Sequence, residues 1–63
     1  MEDGELTVFS YRVEYALQDL VKSGTLVPKG AFATCRNRTA MAAYAERMTV
    51  SECARFLAET NCL

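Results

Sequence analysis

From Leu6 to Val21 the apolar residues Leu6, Phe9, Val13, Ala16, Leu17, Leu20 and Val21 recur at three- and four-residue steps. That spacing gathers them on one face of a helix. Ser10, Glu14, Gln18 and Lys22 form a polar row, and Arg12 and Asp19 fall opposite the apolar stripe. Lys22 in the last turn and Gly24 just beyond it make a stop signal, because glycine accepts the left-handed conformation that closes a helix. A competing pattern runs through the same stretch. Phe9, Tyr11, Val13 and Tyr15 alternate with Ser10, Arg12 and Glu14, as in a strand. The helix is adopted because its stripe runs over four turns and ends in a cap; a strand over residues 6–16 is the alternative. On the helix, Tyr11 and Tyr15 land on the polar side.

Thr25 to Asn37 reads as a connector punctuated by Pro28 and Gly30. Leu26, Val27 and Phe32 are expected to tuck against the core. The pattern leaves open whether this piece holds a short helical turn starting at Pro28 or an extended run through Leu26 and Val27. A second helix is predicted from about Arg38 to Met48, capped by Asn37 or Thr39, with Met41, Tyr44, Ala45 and Met48 as its stripe. Thr49-Val50-Ser51-Glu52 has the form of a capping box, in which hydroxyl and carboxylate each satisfy an orphan backbone N–H. The last helix then runs from about Val50 to Thr60. Val50, Cys53, Ala54, Phe56 and Leu57 point inward, and Glu52, Arg55 and Glu59 line the outer face. Three helices with short connections predict one all-α domain over residues 1–63. It is either a small three-helix bundle or a long helix packed on a helical hairpin.

Size limits how such a domain is stabilised. A chain of 63 residues buries only ~60% of the surface its unfolded form exposes. Its apolar fraction is 51%, and so short a chain cannot hide all of it, so an apolar face in contact with a partner or a second copy is expected. The cysteines do not read as a staple. Cys35, Cys53 and Cys62 are odd in number, have no C-x-x-C spacing, and there is no histidine. Neither a disulfide framework nor a structural zinc site is indicated, and no metal or cofactor is expected. The acidic start Met1-Glu2-Asp3-Gly4-Glu5 is not a secretory signal, and no apolar run reaches membrane-spanning length. The expectation is a cytoplasmic chain with free thiols and no membrane partner, in which the sequon Asn37-Arg38-Thr39 is incidental.

Charge is unevenly distributed. Residues 1–21 hold Glu2, Asp3, Glu5, Glu14 and Asp19 against Arg12, whereas residues 22–38 hold Lys22, Lys29, Arg36 and Arg38 without an acid. The basic middle is either part of a dipolar surface or a patch for an anionic partner. Arg36, Arg38 and Lys29 also surround Cys35 in sequence. Cations lower a thiol pKa, which would make Cys35 a redox-sensing thiolate; a buried, inert thiol is the simpler expectation. The elements of an enzyme are missing. Histidine is absent, no base lies near a cysteine, and Gly4, Gly24 and Gly30 are too scattered to form a phosphate loop.

Thr49-Val50-Ser51-Glu52-Cys53-Ala54-Arg55-Phe56-Leu57-Ala58 resembles the opening helix of a helix-turn-helix, of the sort found in excisionase-like and other small regulators. The likeness covers ten residues: a capped start, an alanine facing the partner helix, then an apolar pair. It implies a small DNA-binding transcriptional regulator. In that frame the recognition helix should follow Ala58, where Glu59 to Leu63 remain. In the other frame the recognition helix is Val50 to Thr60, which turns Glu52 and Glu59 toward phosphates that repel them. In a third arrangement Lys29, Arg36 and Arg38 contact the nucleic-acid backbone ahead of a helix N-terminus. An acidic pI near 5.2 lacks the usual basic footprint.

Protein binding accounts for more of the pattern. Tyr11 and Tyr15 stand outside the stripe, and tyrosine is enriched at interface hot spots. The sequence therefore predicts a non-enzymatic homodimer that binds another protein as an inhibitor, adaptor or anti-activator, as compact phage-encoded host-directed proteins do. Tyr11, Tyr15, Lys29, Arg36 and Arg38 are the expected contact residues.

Overall fold

The computed structural model describes residues 3–24 and 29–61. Four α-helices follow one another in the described chain: α1 (Asp3–Lys22), α2 (Lys29–Arg36), α3 (Arg38–Arg47) and α4 (Val50–Asn61). The domain is all-α, and residues 6–16 are helix, not strand. The predicted three-helix count falls short by one. The second half of the connector is the helix α2, so of the two open readings the helical turn holds and extends to Arg36; its fully buried residues Ala31 and Cys35 are small, and Phe32 packs half-buried beside them. Phe32 packs against the core as expected; Leu26 and Val27, expected to tuck in beside it, lie outside the described residues.

Each helix end has a local cause. At the end of α1, Gly24 adopts φ 98°, and its N–H donates to the Val21 carbonyl at 3.1 Å while the Ser23 N–H reaches the Asp19 carbonyl at 3.0 Å. Both bonds satisfy carbonyls that the helix itself leaves open. Between α2 and α3 the joint is Asn37 alone, in extended conformation, with its side-chain carbonyl accepting from the Ala40 N–H at 3.1 Å. Between α3 and α4 the capping box forms as the sequence indicates. The Glu52 N–H donates to Thr49 Oγ1 at 3.3 Å. In return, Glu52 Oε1 accepts from the Thr49 N–H at 3.3 Å and from its hydroxyl at 3.0 Å.

One core joins all four helices. It comprises Leu6, Val13 and Leu17 of α1, Ala31 and Cys35 of α2, Met41 of α3, and Cys53, Ala54, Leu57 and Ala58 of α4. Small residues dominate the α2 and α4 contributions, which lets these helices approach α1 closely. Two residues assigned inward are exposed: Val21 by 44% and Phe56 by 38%. Val21 lies at the far end of α1, one residue before its close. Phe56 packs at a tilt against Tyr44 instead, with ring centroids 5.6 Å apart and planes inclined by 58°, within the favourable range for aromatic pairs. With 20 residues, α1 is about 30 Å long, nearly the whole 33 Å long axis of the molecule. The other three helices pack along one side of it, and among the described residues nothing covers its opposite side.

Candidate partner-binding surface

The bare side of α1 is not uniformly polar. Val8 is 50% exposed, Tyr11 58% and Tyr15 64%. At about 100° per residue these three positions fall within an arc of roughly 60°, diametrically opposite the buried Leu6, Val13 and Leu17. The helix therefore carries two apolar faces, one sealed in the core and one presented to solvent. Tyr11 and Tyr15 were expected as contact residues. Val8 was missed, although the 8, 11, 15 spacing is the three-then-four step of a helix-pairing seam, hidden by the stronger core stripe.

Two grooves flank this face. On the α2 side a groove of about 450 Å³ is lined by Leu6, Thr7, Ser10, Tyr11, Glu14, Cys35, Arg36 and Arg38. Leu6 and Cys35 make its apolar floor. A 3.3 Å salt bridge between Arg36 and Glu14 crosses it and ties α1 to α2. Since the Arg36 side chain is 74% exposed, that pair contributes at most about 1 kcal/mol and can exchange for another acid. The structure thus brings together three of the expected contact residues: Tyr11, Arg36 and Arg38. Tyr15 stands a turn further along α1, outside the groove. Lys29 opens α2, and its side chain lies outside the described residues.

On the α4 side a second groove, about 390 Å³, is lined by Gly4, Glu5, Val8, Phe9, Arg12 and Val50. A smaller hollow of about 300 Å³ continues along the same seam past Asp19, Glu52 and Arg55. The outward positions of α4, Glu52, Arg55 and Glu59, are exposed, as their spacing predicts.

The surroundings of Cys35 do not favour a reactive thiolate. It is 2% exposed, and burial, with lesser contributions from Cys53 and Glu14, pushes its pKa up to about 11 against the opposing pull of Arg36. Desolvation of the charged form outweighs the neighbouring cation. Burial raises Cys53 to about 11 as well. Among the described residues no group of three or more His, Cys, Asp or Glu side chains could hold a metal ion, and no helix is long and apolar enough to cross a membrane. No family model, no curated protein and no solved structure matches the chain.

Proposed function

We propose that this protein is non-enzymatic and acts by binding another protein, as an inhibitor, adaptor or anti-activator. The observation that carries the reading is the second apolar face of α1, where two tyrosines are more than half exposed beside a groove rimmed by Arg36 and Arg38. Tyrosine gives large contact area at low entropic cost, and arginine adds directional donors; both are typical anchors of protein interfaces. A partner segment with an apolar side chain for the Leu6–Cys35 floor and an acid for Arg36 fits this chemistry.

A second reading, a small DNA-binding regulator, rests on the same two arginines, Arg36 at the end of α2 and Arg38 at the start of α3. Against it, α4 turns Glu52 and Glu59 outward, as repulsive to phosphate here as in the sequence argument.

The test pairs the wild-type chain with Tyr11→Ala/Tyr15→Ala. Both tyrosines are exposed, so the double variant should keep its helical circular dichroism while losing a partner that the wild type retains. Retention of the partner by the variant would defeat the reading. Binding to random-sequence DNA that vanishes at high salt would replace it with the second.

A further inference from the structure

The α4-side groove has an acid at one end, Glu5, and a base at the other, Arg12, with Val8, Phe9 and Val50 between them. Glu5 and Arg12 are both exposed. Seven residues apart on one helix, they lie about 10 Å apart along the axis and are not neighbours on the helix surface. A surface with opposite charges at its two ends is complementary to itself after a half-turn rotation, which is the condition for a two-fold interface. From this we infer that the occupant of the bare α1 face is a second copy of the chain. The two α1 helices run antiparallel, so that Glu5 of each copy meets Arg12 of the other.

The seam sets the register. Gly4, Val8, Tyr11, Tyr15, Gln18 and Lys22 occupy the central line of the outer face, with Glu5, Arg12 and Asp19 on one flank and Thr7, Glu14 and Val21 on the other. In an antiparallel pair each flank faces its own equivalent. With Val8 opposite the second copy's Tyr11, the central-line residues Val8, Tyr11 and Tyr15 all fall inside the overlap and Tyr15 lies against Gly4. A Cβ placed on Gly4 would have nothing within 4 Å in the isolated chain, so there is open space for the ring. Both Glu5–Arg12 pairs then form. Moving one heptad along, to put Tyr11 opposite Tyr15, confronts Arg12 with Arg12 and Glu5 with Asp19. Moving one heptad further restores an Arg12–Asp19 pair, but it sets Tyr11 against Lys22 and leaves Val8 without an apolar neighbour. A parallel pair confronts Glu14 with Asp19. Like charges disfavour the parallel pair and the first of the shifted registers, and apolar burial disfavours the second.

This inference rests on the reading of the α1 face as a contact surface: it shares Tyr11 and Tyr15 with that reading, and its charge pairs lie on the flank away from Arg36 and Arg38. Sedimentation equilibrium on the intact chain tests it with five variants. Arg12→Glu and Glu5→Arg should each weaken the dimer roughly tenfold, the effect of turning two attractive surface pairs repulsive. The swap Glu5→Arg/Arg12→Glu should restore it, and Asp19→Arg should leave it unchanged. Circular dichroism checks that each variant keeps its helices. A wild-type chain that stays monomeric at millimolar concentration overturns the inference. So does a dimer that Arg12→Glu leaves intact, or one rescued by Asp19→Arg/Arg12→Glu in place of the Glu5 swap. A monomer that still loses a different protein on Tyr11→Ala/Tyr15→Ala would sink the self-pairing alone and leave the wider reading standing.

Discussion

Leu17 sits at the centre of the core with no exposed surface, and it makes contacts that no neighbour can replace. Leu17→Ala should cost about 3 kcal/mol, transfer and cavity terms together, read as a lowered urea midpoint. In a domain this small that loss is a large fraction of the total stability. The cysteines are sensitive to pH instead. Cys35 and Cys53 have their pKa raised from 9.0 to about 11. Between those values the unfolded chain has released the thiol protons while the folded chain keeps them, so stability falls as pH rises through this window. The fall should be shallower in Cys35→Ala/Cys53→Ala than in the wild type when urea midpoints at pH 9 and pH 11 are compared. At neutral pH both thiols should resist alkylation in the native protein and react once it is denatured, as peptide mapping by mass would show. The sequence could place cations beside Cys35 but could not weigh them against burial, because burial depends on what α1 and α4 put over the thiol.

The helices are delimited by residues whose roles are local. Thr49→Ala removes the hydroxyl that accepts from the Glu52 N–H and that donates to the Glu52 carboxylate, leaving only the backbone N–H for Glu52 to reach back to; a loss of about 1 kcal/mol is expected, measurable as a lowered melting temperature. Gly24→Ala should cost about as much, since φ 98° is a conformation that a β-carbon disfavours. These features were legible in advance, because a cap is written in three or four adjacent residues. The helix α2 was not. Beyond a helical turn left open from Pro28, it had no clear signal: its buried Ala31 and Cys35 are too small to form a visible stripe beside the half-buried Phe32, and its start adjoins Pro28 and Gly30, which also suit a loop. Phe56 was misread for a related reason. Periodicity puts it near the apolar side of α4, but the space there is filled by Cys53, Leu57 and Ala58, and its ring finds Tyr44 at the surface.

At the scale of the molecule, one core shared by four helices predicts a single cooperative unfolding transition without an intermediate. If two copies pair through α1, the midpoint should rise with protein concentration, because the dimer is favoured by mass action and the unfolded chain is not. Scanning calorimetry over a hundredfold concentration range reads both. A midpoint independent of concentration would speak for a monomer.

The sequence by itself determined the class of the fold, the course of α1, α3 and α4, the capping box and the expectation of surplus apolar surface. All of these follow from spacings within a few residues or from the ratio of apolar content to chain length. Only the tertiary structure decided which surface the surplus occupies. The core face of α1 is fixed by three helices packing against it, and only then is the Val8–Tyr11–Tyr15 line left exposed opposite. The joining of Arg36 to Glu14, residues 22 apart in the chain, and the meeting of Val50 with Val8 and Phe9 at one groove depend on how the helices cross. Crossing geometry comes from the volumes of side chains on different helices, which a pattern read along a single helix does not contain.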